Sequence, residues 1–363
     1  MVTVGLISRY IGICFFWIFT IFLCLYAPRL LHIGAQRRSI NVCMWPGVVD
    51  KDVIADFEKQ TGISVRYSSF DSNEELLVKL FATKGKEYDL IITSDYCIEV
   101  LIKQKLLQKI NKSKLDFWSA IHPAFLGHYY DEHNDYSIPS DWYVLGFGIK
   151  KNFFRDTFHK NISDNSTWDI VFDVKNIDYT LGMINDSREL ASLAMYYLYK
   201  KVAPVNDQQV QEITDLLIQQ KSHVEAYTDL RGDFLLQSGN CAVVLVPNSF
   251  MWKVLARDAT VDFFLPTDGL FLNIENFAIP VHSEKSELVY EFINYLFKLD
   301  IQEHNFTNNA MLSVRKDADF MFNNPYLQSS MRIFDENQEK PTLFRNMLTD
   351  AQLNHIWLSM KGL

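Results

Sequence analysis

Asp186 and Glu189 stand three positions apart at the head of Arg188–Lys200, a segment whose pattern reads as a helix. Residues three apart share one face of a helical turn, so these carboxylates would sit side by side. Two kinds of chemistry fit them. Asp186 could cap the helix with Glu189 as its capping-box partner, satisfying backbone N–H groups that have no intrahelical acceptor. Alternatively, the pair could face a cleft and hold a cation through charge-assisted hydrogen bonds. Trp45 directly follows a predicted strand, Ile40–Met44, and Ser94 and Tyr96 follow another, Tyr88–Thr93. Residues just past the carboxyl ends of parallel strands line the crevice where such sheets bind ligands. Core packing is the competing role for Trp45, and local packing at a helix start is the competing role for Tyr96. Glu275 lies just before Phe277–Pro280, where an exposed loop carboxylate is the plain alternative.

Other chemistry is poorly served. Tyr129-Tyr130 and Tyr196-Tyr197 are adjacent pairs, and a hard ferric ion would want such oxygen ligands. The second pair falls in mid-helix, where packing explains it. The nine histidines form no metal-spaced cluster, and His122 and His128 read as surface or satisfied core residues. There is no H-E-x-x-H, no G-x-S-x-G and no phosphate loop, so a binding protein is expected rather than an enzyme, with no cofactor and no metal. Cys43, Cys97 and Cys241 match no metal spacing and read as small buried hydrophobes, with one disulfide as the alternative.

The elements that must position these residues come from a chain of 363 residues, which suggests two domains. Net charge is −9, which argues against nucleic acid as a partner, because phosphate binding wants a basic face. Arg9 precedes an apolar run from Tyr10 to about Ala27, and Ile33-Gly34-Ala35 offers a small-residue cleavage site. Residues 1–38 are therefore expected to be a signal peptide or a signal anchor. Arg29, Arg37 and Arg38 beyond the run leave its orientation open.

After residue 38, short strands alternate with helices. Ile40–Met44, Ile63–Tyr67 and Tyr88–Thr93 read as strands. Val53, Ile54 and Phe57 mark a helix that Gly62 stops, and Ser72 with Glu75 forms a capping box before Leu76, Leu77, Leu80 and Phe81. This is β-α-β-α-β, the pattern of a parallel sheet covered by helices. A second set follows, with strands at Tyr179–Ile184 and Cys241–Val246 and a helix through Val210, Ile213 and Leu217. Pro247 opens another helix, and Leu288 to Phe297 carries a strong amphipathic stripe. Two α/β lobes with no disordered linker between them suggest a hinge and a cleft.

Several local words then resemble the spermidine/putrescine-binding family. They are Phe57–Val65 (FEKQTGISV), Asp71–Leu80 (DSNEELLVKL), Tyr88–Tyr96 (YDLIITSDY), Leu106–Leu115 (LLQKINKSKL) and Asn134–Pro139 (NDYSIP), continued by Met183–Glu189 (MINDSRE) and Phe277–Pro280 (FAIP). The resemblance covers roughly residues 40–315 and thins after about 190. It implies an α/β, two-lobed periplasmic-binding-protein-like fold (type II) with the ligand cleft between the lobes. Lobe one would be 39–146 plus 275–318, and lobe two 147–274 plus 319–363, joined by crossing strands.

The resemblance further implies a periplasmic monomer that hands a polyamine to an ABC permease in the inner membrane. Carried over, the ligand-binding residues would be Trp45, Ser94, Tyr96, Asp186, Glu189 and Glu275, the last replacing the family's aspartate. Carboxylates would meet the ammonium groups, and aromatic faces the methylenes and charges. Several of the family's aromatic walls are replaced: Val48 stands at one, Val246 or Pro247 at a second, Leu272 or Asn273 at a third, and Ala310 at a fourth. Trp142, Trp252 and Phe271 are candidates to fill in, with core packing as the competing role. Another cationic solute, ferric ion, or a membrane-anchored sensor of the same fold are the alternatives.

Overall fold

The computed structural model describes residues 16–17, 19–22, 38–151, 166–228, 232–334 and 340–362. The expected signal peptide or anchor lies almost wholly outside them. Among the described residues, no helix is long and apolar enough to cross a membrane.

Among the described residues, eleven strands run in chain order as β1 (Ser39–Met44), β2 (Ser64–Ser69), β3 (Leu90–Ser94), β4 (Ile138–Lys150), β5 (Leu181–Ile184), β6 (Val224–Thr228), β7 (Val243–Pro247), β8 (Val261–Phe264), β9 (Phe271–Ala278), β10 (Leu312–Ser313) and β11 (Thr342–Leu343). The main path of the sheet is β2-β1-β3-β9-β4-β7-β5-β6. One parallel unit, β2-β1-β3, forms the first half. A second, β7-β5-β6, forms the other.

β4 and β9 join them. Residues 138–144 of β4 pair antiparallel with β9, while 145–149 pair with β7 and 147–150 with β8. β9 in turn pairs antiparallel with β3. Two long strands thus pass between the halves, which is the two-lobed periplasmic-binding-protein architecture. Gly146 sits where β4 changes partners, and a Cβ there would come within 2.4 Å of the Phe263 ring and 2.7 Å of the Phe264 carbonyl. Only glycine lets these strands approach so closely.

Local signals explain most of the elements. The helix Lys51–Thr61 ends on Gly62 at φ 68°, whose N–H donates to the Glu58 carbonyl. Ser72 caps the helix Asn73–Thr83 by accepting from the Glu75 N–H, but the Glu75 carboxylate reaches the Asp71 N–H, one residue short of a true capping box. The stripe on Ser286–Leu296 buries Val289, Phe292, Ile293 and Leu296. Phe57 meets the Phe292 ring at 4.9 Å, which fastens that helix to the first parallel unit. In the second half, Ile213 and Leu217 share a core with Leu353, Ile356 and Met360 of the C-terminal helix Asp350–Lys361.

One expected boundary departs from the packing. Met321 and Leu327, placed in lobe two by the resemblance, pack into the core of the first half. Phe334 likewise meets Phe125 at 5.6 Å and Trp142 at 5.5 Å. Phe334 also meets His122 at 4.5 Å and Phe322 at 5.4 Å, so burial of these rings together holds the segment against the first half. The chain joins the second half's core only later, at Phe344, Leu348 and the C-terminal helix. Cys43, Cys97 and Cys241 are all buried and free, so the disulfide alternative is not realised.

Candidate functional site

The six residues singled out in the sequence converge where the two halves meet. Ser94 ends β3 opposite Glu275 on β9, and its Oγ donates to Glu275 Oε1 at 2.7 Å. Trp45 follows β1, and its indole N–H donates to Glu275 Oε2 at 3.1 Å. Its ring lies 4.4 Å from Phe70. The Tyr96 hydroxyl donates across the cleft to Asp186 Oδ2 at 3.3 Å. Behind it, the Asn73 amide donates to the Tyr96 hydroxyl oxygen and to Ser94 Oγ, and the Asn73 Oδ1 accepts from Thr93 Oγ1.

On the other side, Asp186 and Glu189 open the helix Ser187–Tyr199. Asp186 Oδ1 accepts the backbone N–H groups of Arg188 and Glu189 at 2.9 and 2.8 Å. Capping and cleft contact therefore coexist, with one oxygen for each. Glu189 does not complete a capping box. Its Oε1 accepts instead from the Tyr143 hydroxyl at 2.9 Å and the Asn273 amide at 3.4 Å. Glu275 is not an exposed loop residue, because β9 buries it to 7% exposure.

The electrostatics are one-sided. Asp95, Asp141, Asp186, Glu189 and Glu275 all lie in or beside this region. Among the described residues, none of them has a Lys, Arg or His at ion-pair distance. Among the described residues, the one buried cation nearby is Arg188. It is spent on Glu74 at 3.4 Å, Asp350 at 3.8 Å and the Tyr96 ring at 5.3 Å. Burial, with further carboxylates close by, pushes Glu189 and Asp95 well above the carboxylate range. Asp186 is raised by burial and then by Glu74. Asp141 and Glu275 are directly opposed on β4 and β9. Burial drives Asp141 up to about 7, and burial plus the Asp141 charge drives Glu275 up to about 8.

Sequence reasoning missed Asp141, Tyr143, Arg188 and Asn73, and gave Asn273 only as the alternative to Leu272 at a replaced aromatic wall. Asp141 and Asn273 carried a usable signal, since each interrupts an apolar strand run, Ile138–Ile149 and Phe271–Ala278. Tyr143 and Asn273 now occupy the wall beside Glu189. The proposed substitutes for the lost walls do not reach it. Trp142 is fully buried and donates to the Ser313 carbonyl, Trp252 stacks on Phe306, and Phe271 packs on Trp168 and Phe344. The tyrosine pairs are engaged elsewhere: Tyr129 donates to the Phe344 carbonyl, Tyr130 to Asn276, and Tyr196 to the Asp268 carbonyl. Among the described residues, no three His, Cys, Asp or Glu side chains are grouped to hold a metal.

A two-lobed α/β frame with an acidic, aromatic cleft between its lobes defines a solute-binding protein. Residues 52–323 match the bacterial extracellular solute-binding protein family, and the chain belongs to that family. It is 25% identical over 346 residues to a putrescine-binding periplasmic protein of Pseudomonas aeruginosa, covering 91% of this chain and 93% of that one. It is 26% identical over 259 residues to the spermidine/putrescine-binding periplasmic protein of Escherichia coli, covering 71% and 72%. A solved Listeria monocytogenes chain, described as a spermidine/putrescine ABC transporter, superposes with a TM-score of 0.75 at 26% identity, covering 90% of this chain and 98% of that one.

Proposed function

We propose that this protein binds a polyamine between its lobes, outside the cytoplasmic membrane, and presents it to an ABC permease. The observation that carries the reading is the surplus of buried carboxylates with no Lys, Arg or His at ion-pair distance among the described residues. Buried charge of one sign is costly, and a ligand of the opposite sign removes the cost. An elongated organic cation fits better than a single metal ion. Asp186 and Glu189 lie on one lobe and Glu275 on the other side of the cleft, so the positive charges must also be spaced.

In this reading Asp186 and Glu189 meet one ammonium and Glu275 another. Trp45 and Tyr96 flank the methylenes, and Ser94 orients Glu275. Contacts from both lobes favour the closed form, because only there does the ligand touch both sets. Arg188–Glu74 and the Asn346 amide on the Tyr96 carbonyl already bridge the lobes. The protein acts as a periplasmic monomer, without catalysis, cofactor or nucleic acid. Lobe one comprises 39–146 and 275–318, extended by the packing of 319–334, and lobe two comprises the remainder after 146.

The test is thermal melting of the purified protein with spermidine, putrescine, cadaverine and ferric citrate. A ligand at 100 times its Kd stabilises by about 2.7 kcal/mol. A clear upward shift with an amine and none with ferric citrate is expected. A shift with ferric citrate alone would overturn the reading.

A further inference from the structure

Four polar side chains form a row across four adjacent strands. Ser94 on β3 is paired with Glu275 on β9, Glu275 with Asp141 on β4, and Asp141 with Ser313 on β10. Directly opposed residues on neighbouring strands share a face of the sheet, with Cα atoms about 4.5–5.5 Å apart. All four are buried. The first two belong to the cleft already described. The row continues one carboxylate and one hydroxyl beyond it, into the first lobe.

At that far end lies a cavity of about 30 Å³, lined by Val48, Ser140, Asp141, Asn305, Met311 and Leu312 among others. That is room for a group the size of one water molecule. Its polar lining is Ser140, Asp141, Gln302 and Asn305, and the Gln302 amide already donates to the Leu296 carbonyl at 2.9 Å. Asp141 has no Lys, Arg or His at ion-pair distance among the described residues, and Ser140 donates to its Oδ1 at 2.9 Å. Asn305 is 7% exposed, and its Oδ1 has no hydrogen-bond partner. An orphaned buried acceptor beside an uncompensated carboxylate calls for a group with several donors, a positive charge and no acceptor. An alkylammonium head is such a group, carrying three donors and no lone pair. Val48, Met311 and Leu312 supply the apolar contact that the adjoining methylenes need.

We propose that the cleft continues past Glu275 into a second ammonium subsite, made by Asp141 and Asn305, which takes the inner primary amine of an elongated di- or polyamine. This rests on the polyamine reading above and adds a determinant of ligand charge and length. Asp141 and Glu275 would hold the inner ammonium between them, while Asp186 and Glu189 hold the outer one. A monoamine of the same chain length can satisfy only one end.

The experiment is calorimetric titration of the full chain and of Asp141→Asn and Asn305→Leu with putrescine, spermidine and n-butylamine. Asp141→Asn removes the charge at constant shape, and Asn305→Leu fills the cavity while leaving Asp141 in place. Melting of each unliganded variant checks its folding. The wild type is expected to prefer putrescine over n-butylamine, and both variants are expected to lower that preference at least tenfold. A preference unchanged in both variants would overturn the subsite while leaving polyamine binding intact. A wild type that binds none of the three amines would overturn the polyamine reading itself, and the subsite with it.

Discussion

Affinity for an amine should depend steeply on pH, and the slope should count the protons the site gives up. In the unliganded protein, burial holds Asp141 near 7, and burial together with the Asp141 charge holds Glu275 near 8. The ligand's ammonium groups resemble that of lysine and stay charged throughout, with a pKa of about 10.4. Binding therefore requires the two carboxyls to lose their protons to solvent. A pH of 6 lies two below the Glu275 value and one below the Asp141 value, so both carboxyls are largely protonated there. Kd should accordingly be weaker than at pH 9 by about a thousandfold, or about 4 kcal/mol at 1.36 kcal/mol per unit. Calorimetry at pH 6, 7, 8 and 9, each in two buffers of different ionisation enthalpy, gives both Kd and the protons released. Asp141 and Glu275 together are expected to release about two protons per ligand at pH 6 and fewer than one at pH 8.5, with any proton held by Glu189 added to both counts. Glu275→Gln should remove one proton from that count. A Kd that changes less than threefold from pH 6 to 8.5, with no dependence on buffer, would refute the reasoning.

Three further outcomes follow from the same geometry. The unliganded protein should lose stability as pH rises from about 4.5 to 8, because its raised carboxyls hold protons that the unfolded chain has already released; melting temperatures that rise across this window would contradict the assignment. Asp186→Asn keeps a capping side chain, so it should lower ligand affinity with little loss of stability. Asp186→Ala should do both, with about 1 kcal/mol lost on unfolding in denaturant, and equal stability of the two variants would argue against the observed cap. Gly146→Ala should destabilise the protein by about 1–3 kcal/mol, since the Phe264 backbone oxygen cannot yield as a side chain could; a wild-type melting curve would show that β4 and β8 can separate without cost.

Much of this molecule was legible in its sequence, and the reasons are local. Alternation of strand and helix, the stop at Gly62, the cap at Ser72 and the stripe on Leu288–Phe297 depend on neighbours a few positions away. Periodicity and capping act over that distance. Trp45, Ser94, Tyr96, Asp186 and Glu189 were also reachable, because strand ends and a helix start determine where such side chains emerge, whereas Glu275, inside β9, was marked only by the family resemblance. What sequence could not supply was which distant residues would stand opposite them. Asp141 faces Glu275 only because β4 and β9 pair in one register across 134 positions of chain, with a shift between Pro139 and Asp141. A slip of one residue would turn Asp141 to the other face. Tyr143 and Asn273 reach Glu189 for the same reason, and the segment 319–334 joins the first lobe because Phe334 finds Phe125 and Trp142. The types of the charged groups were written in the chain. Their burial without cations, and hence their raised protonation and their demand for a ligand, arise only when long-range strand pairing takes them out of water together.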